Sequence, residues 1–344
     1  MQAAGATWWV PSEDVALKRT WMAWPSARSI WGNRLPGVQA NIAALAKEIA
    51  KYNPVIMCAD GTTNASTARV QCGTTVTVIS SIPVNDAWMR DTGPLFRTNG
   101  AGGRDAFGLN FNGWGRKQLS GKDRDVAGRV AAHAGVSPFV SAAIVGEGGA
   151  VEVDGDGTLM ATESSLVNAN RNPGKTKVQI EAELLSRYGA TKMIWLKGIV
   201  GQDITDDHVD ATSRFVRPGL VIVQVAPDSH SDAYAVDSRE QFATLSNATD
   251  AKGRRLQVVK VDGPDHLPRI PAGQQDTFVD SYVNWTVANG AIITAQFGDT
   301  EKDAAAKAAI GGAFPGKRVV QLNLDKLHGG GGGAHCVTMH EPLP

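Results

Sequence analysis

With 344 residues, the chain can build one large domain or two ordinary ones, and 42% hydrophobic against 20% charged residues is a globular composition. Its 34 basic residues balance 34 acidic ones, so no net field draws in nucleic acid or an anionic membrane. No apolar run reaches the roughly eighteen residues that a membrane-spanning helix needs. The opening stretch, MQAAGATWWVPSED, lacks the charged and apolar regions of a signal peptide, although AAGA resembles the small-residue flank of a cleavage site.

In chain order, Val38, Ile42, Leu45 and Ile49 recur at helical spacing, and Pro54 closes that helix before a strand. The apolar runs at 55–57 and 76–78 are separated by a loop rich in Asn, Thr and Gly. Cys58 and Cys72 flank the loop. Brought together by the two strands, they predict a disulfide and a secreted or periplasmic protein; read as reduced, buried thiols, they predict a cytoplasmic one.

NDAWMRDTGP then sets Trp88, Arg90 and Asp91 on one short segment. An aromatic face beside a carboxylate suits a planar cation, which stacks on the ring while the carboxylate accepts its N–H groups. The other reading is an Arg90–Asp91 pair capping a turn. A second helix is expected near Val126 and Val130. GEGGAVEVDGDGT places Glu147 before two glycines that permit close backbone approach. NANRNP, at 168–173, reads as a turn leading into a helix and carries no assigned chemistry.

Val178, Ala182 and Leu185 predict a third helix with its stop at Gly189, and a strand follows at 193–196. In DITDDHVDATSRFV, His208 and Asp210 share a face if the segment is a strand, an acid–base and cation-binding pair. Alternatively, Asp206 or Asp207 satisfies His208 at a helix start. The remaining aspartates shape the turn. A strand at 256–261, a polar turn at 281–290, an alanine-rich helix at 302–310 and a strand at 319–322 complete the pattern. Finally, Gly329–Gly333 leads directly into Ala334-His335-Cys336. A glycine-rich approach to a cysteine fits backbone packed tightly around a substrate, with Cys336 the thiolate nucleophile. Neither G-x-S-x-G nor a P-loop signature occurs.

The unusual residues therefore cluster in five turns, at 85–93, 147–157, 203–210, 281–290 and 329–336, with helices between them at intervals of roughly fifty to seventy residues. Such a period predicts repeated α/β units arranged radially or in a row; a radial arrangement brings all five turns to one centre. No long linker divides the chain, and residues 1–344 read as one catalytic domain.

TWMAWP, NDAWMRDTGP, FNGWG, EGGAVEVDGDGTLMATESSLVNANRNP, DITDDHVD, SYVNWTVANG and GGGGGAHC, in this order, resemble the agmatine deiminase and bacterial peptidyl-arginine deiminase family from about Trp8 to Pro342. The resemblance implies the α/β pentein fold, a five-bladed propeller with pseudo-fivefold symmetry and its active site in the central pore. It implies Cys336 as nucleophile and His208 as general acid and base. Asp91 and Asp210 would hold the guanidinium nitrogens, Glu147 would orient His208 or a substrate nitrogen, and Trp88 and Asn284 would line the pocket. No metal or organic cofactor is implied; the partner is a small-molecule guanidinium substrate, and the family points to a homodimer. The chain departs from the family pattern at Glu152, where His is common, at Arg116, where a second Gly follows FNGWG, and in the tail VTMHEP. These changes leave deimination intact and bear on which guanidine is used. Peptidyl-arginine deimination, amidino transfer to an amine and non-catalytic guanidinium binding are the other readings on the same fold.

Overall fold

Short apolar segments, many of them β-branched, favour pleated strands buried on both faces, and the amphipathic stretches between them favour helices that cover those faces. In the computed structural model, which describes residues 7–344, they form five small sheets. Residues 1–6, and with them the AAGA stretch, lie outside the described residues.

The first sheet contains β1 (Leu17–Ala23), then helix α1 (Leu35–Ile49), β2 (Val55–Cys58), helix α2 (Gly61–Cys72) and β3 (Val76–Ile79). These three strands run parallel, as strands joined by helical crossovers do. Helix α1 has Pro36 in its first turn and buries the stripe Leu35, Val38, Ile42, Leu45 and Ile49.

The next four sheets share one plan: an antiparallel hairpin, a helix, and a third strand parallel to the second. They are β4 (Leu95–Thr98), β5 (Arg104–Gly108), α3 (Val126–His133) and β6 (Phe139–Ser141); then β7 (Val151–Val153), β8 (Thr158–Thr162), α4 (Lys177–Tyr188) and β9 (Lys192–Leu196). The other two are β10 (Ser213–Arg217), β11 (Leu220–Val225), α5 (Ala233–Asn247) and β12 (Gln257–Asp262); then β13 (Thr286–Ala288), β14 (Ala291–Ala295), α6 (Thr300–Ala313) and β15 (Arg318–Leu322). The first sheet obtains its antiparallel member from the far end of the chain. Strand β16 (Met339–Pro342) pairs with β1, Trp21 opposite Met339. The blade that opens the chain is thus finished by the segment that follows Cys336.

Three expectations change. The 61–72 stretch is helix α2 rather than a loop, with Ala65, Ala68 and Cys72 buried. Helix α4 turns Ile180, Leu184 and Tyr188 inward and leaves Val178 76% exposed, so its buried stripe is offset from the one expected, though Gly189 caps it at φ 66°. Cys58 and Cys72 are both free: Cys58 ends β2 and belongs to the core cluster that holds Trp21 and Phe107, whereas Cys72 belongs to the separate cluster that holds Trp24 and the buried face of α1. Helix α2 carries the two thiols into different layers. Burial pushes Cys58 up to about 12 and Cys72 to about 11, as for inert core thiols.

Candidate active site

Each sheet is entered through a loop immediately before its first strand, and those loops bring the predicted residues together at the centre of the propeller. The glycine run before Cys336 lies flat on two indoles. A Cβ on Gly330 would come 2.2 Å from the Trp31 ring, and one on Gly332 would come 2.5 Å from the Trp88 ring and 3.1 Å from the Cys336 sulfur. Trp88, 7% exposed, therefore forms a wall beside Cys336. Asn284 Nδ2 donates to Cys336 Sγ at 3.2 Å, and its Oδ1 accepts from the His335 N–H at 3.0 Å, so Asn284 seats the cysteine loop. Burial first, then the charges of Asp210 and Asp91, hold the Cys336 pKa well above the ordinary thiol range. The resting residue is a thiol.

His208 opens a single 3-10 turn, Val209–Ala211, rather than lying on a strand. Its Nε2 is 3.3 Å from Glu147 Oε2 and its Nδ1 is 3.8 Å from Asp91 Oδ1. Burial alone would lower its pKa; Asp91 and Glu147 outweigh burial and push it up to about 9, so the ring is an imidazolium at neutral pH. Asp206 and Asp207 do not satisfy it. Asp206 is taken by Lys117 and Arg171. Asp207 is buried with its carboxyl raised by desolvation and by Asp237, and is no mere turn residue.

Asp91 lies in the helical turn Met89–Thr92. Its Oδ2 accepts from Trp114 Nε1 at 2.9 Å and its Oδ1 from the Gly149 N–H at 3.0 Å. Burial, partly offset by His208, raises its pKa to about 6. The neighbouring Arg90 turns away to Glu13 at 2.8 Å, so the two do not form a capping pair. Asp210 accepts from His335 Nδ1 through Oδ2 at 2.7 Å, while Oδ1 has no hydrogen-bond partner among the described residues. Despite burial, His335 and His208 keep its carboxyl below its ordinary range. Gly149 marks the point of convergence: a Cβ there would stand 2.8 Å from Asp91, 2.9 Å from Asp210 and 2.9 Å from His208. A planar cation at this point meets two carboxylates, with Cys336 Sγ 3.6 Å from Asp210 Oδ2.

Several residues of this site carried no signal in the sequence reading. Arg171, in the turn given no chemistry, chelates both Glu147 oxygens through Nε at 2.8 and 2.9 Å, with both side chains fully buried. Burial pushes the Glu147 carboxyl up, but Arg171 and His208 together outweigh it and keep Glu147 below its ordinary range. Trp114, in FNGWG, holds Asp91 from a left-handed backbone (φ 53°), a costly conformation for a bulky residue. Glu13, before β1, and His335 form a further buried layer behind Asp210. Its composition is ordinary, and only the fold collects it.

Five blades of this plan, with a cysteine, a histidine and three carboxylates converging where their entry loops meet, define the pentein class. Within that class, the chain belongs to the Porphyromonas-type peptidyl-arginine deiminase family, whose sequence profile matches residues 9–342. An agmatine deiminase of Ectopseudomonas mendocina is 34% identical over 97% of this chain and 95% of that protein. The agmatine deiminase of Enterococcus faecalis superposes with a TM-score of 0.91 at 29% identity, covering 99% of both chains. An amidinotransferase from Microseira wollei shares the fold alone, with a TM-score of 0.53 at 12% identity over 97% of this chain and 96% of that one.

Proposed function

We propose that the protein is an agmatine deiminase, a hydrolase that converts a guanidinium group to a ureido group and releases ammonia, and that residues 7–344 act as one catalytic unit. The observation that carries this reading is a cysteine thiol set against two buried carboxylates, Asp91 and Asp210, beside an imidazolium, His208. Full-length similarity to agmatine deiminases supports the choice of guanidine. So does the glycine loop pressed against Trp31 and Trp88, which favours a slender alkylguanidine over a polypeptide.

The guanidinium binds between Asp91 and Asp210, which localise its charge and fix its central carbon near Cys336. Its positive charge cancels the two carboxylates that raise the thiol pKa, so substrate binding itself favours loss of the thiol proton to solvent. The thiolate attacks the central carbon, forming a C–S bond and a tetrahedral adduct. His208 gives its proton to one nitrogen, the C–N bond breaks, and ammonia leaves. A thiouronium remains on Cys336. Water, deprotonated by the now neutral His208, adds to that carbon; on collapse the C–S bond breaks, the proton of the added hydroxyl passes to the departing sulfur, and the ureido product leaves the resting Cys336 thiol. Glu147, clamped by Arg171, fixes the imidazole through both halves of the cycle.

A substrate panel of agmatine, free arginine, arginyl peptides and simpler guanidines tests the proposal, with ammonia and ureido product both quantified. Agmatine should give the highest kcat/KM with one ammonia per carbamoylputrescine. Preference for arginyl peptides, or amidine transfer to an added amine without ammonia, overturns it.

A further inference from the structure

Glu13 belongs to the segment ahead of β1 and lies on none of the loops that carry the reacting groups. It nevertheless anchors three of them at once. Its Oε1 receives Arg90 Nη2 at 2.8 Å, and Arg90 is the backbone neighbour of Asp91. The same oxygen receives His335 Nε2 at 2.9 Å, and the opposite ring nitrogen, Nδ1, donates to Asp210 Oδ2 at 2.7 Å. Its Oε2 receives Arg214 Nη2 at 2.6 Å, while Arg214 Nη1 donates to the carbonyls of Val283 at 3.3 Å and Trp285 at 2.9 Å, on either side of Asn284. Glu152 completes the back of the layer, 2.6 Å from Arg214 Nε. Arg90, Arg214, His335 and Glu152 are all at most 5% exposed, so Glu13 meets its partners on the buried side of the layer.

The His335 ring is the informative member. Both of its nitrogens face carboxylate oxygens, Nδ1 that of Asp210 and Nε2 that of Glu13. The ring therefore links the two carboxylates. It engages Oδ2 of Asp210, the oxygen that stands 3.6 Å from Cys336 Sγ. A carboxylate free to rotate would meet the substrate in many orientations; one tethered through Oδ2 meets it in a single one.

We propose that Glu13 and His335 are positioning residues for guanidinium binding, with His335 fixing the orientation of the Asp210 carboxylate toward the substrate cation and Glu13 setting the spacing between the Asp91 and Asp210 turns. The inference rests on the Asp210 clamp proposed above. It assigns function to a layer that touches neither the substrate nor the sulfur: a misplacement of about 1 Å in such a site can cost about a hundredfold.

Two isosteric replacements separate the roles of the ring nitrogens. In His335→Asn the amide N–H reaches the Nδ1 position toward Asp210; in His335→Gln it reaches the Nε2 position toward Glu13. Steady-state kinetics with agmatine and thermal melts on the full chain should show His335→Gln and Glu13→Gln with kcat/KM lowered roughly ten- to a hundredfold, chiefly through KM. His335→Asn should recover most of that loss while melting no higher than His335→Gln. If His335→Gln keeps the wild-type KM, or if Asn and Gln lose KM equally, the positioning role is wrong. Asp210→Asn is the reference. An unchanged KM in Asp210→Asn refutes the clamp itself; an impaired Asp210→Asn beside a normal His335→Gln refutes only the tether.

Discussion

The central groups are matched by charge. Cys336 is held as a thiol by burial and then by the charges of Asp210 and Asp91, and His208 is held protonated by Asp91 and Glu147. Cys336→Ser should lower kcat by at least about a thousandfold while leaving the melting temperature and guanidinium binding near wild type, as a nucleophile does. The pH profile has a definite sign. Asp91, raised to about 6, must be ionised, so kcat/KM should fall as pH drops through 6; His208, raised to about 9, must be protonated, so it should also fall as pH climbs through 9. Glu147→Gln removes one of the charges that raise His208 and should draw the alkaline limb to lower pH in the same kinetic titration. Gly149→Ala should abolish agmatine binding in calorimetry, because the added methyl would sit among Asp91, Asp210 and His208. Near-normal affinity in that variant would show that the cation binds elsewhere.

At the level of elements, the entry loops bear the chemistry and the strands only aim them. That much was legible: the five turns stood out because reactive side chains beside glycines are unusual company, and Cys336, His208, Asp91, Asp210 and Glu147 all meet at the centre. Arg171 was not legible, since a buried arginine and a solvated one look alike in a polar turn; only the fold brings NANRNP against Glu147. Arg171→Met leaves Glu147 buried without its counter-charge, which should cost about 3–5 kcal/mol, read as a lower denaturant midpoint. The stretch between Cys58 and Cys72 misled for the opposite reason. Its Asn, Thr and Gly favour turns locally, yet packing Ala65, Ala68 and Cys72 against the core draws it into helix α2. Thiol titration of oxidised, denatured protein should therefore count three free cysteines.

On the scale of the whole molecule, closure depends on β16. Its Glu341, fully buried, receives Trp21 Nε1 at 2.9 Å, Arg104 Nη1 at 2.6 Å and Arg19 Nε at 3.1 Å, tying the first two blades to the closing strand. Glu341→Leu removes the acceptor and strands those donors, and should lower the melting temperature by several degrees while leaving KM for agmatine little changed in the folded fraction. A larger loss in KM than in stability would show that the seam also shapes the pocket. The tail that looked merely unlike its family's usual ending is thus the strand on which the ring shuts.

This closure has a consequence for synthesis. The ribosome makes the chain from the amino end, so Asp91, Glu147, His208 and Asp210 all emerge long before the residue they serve. Cys336 appears only three residues ahead of Met339, the first residue of β16. A nascent chain therefore carries four of the five central groups but no Cys336, and when the cysteine arrives, the strand that encloses it follows at once. Any chain released before residue 336 lacks the thiol at the centre. The cell meets this thiol only in the company of the wall that shelters it.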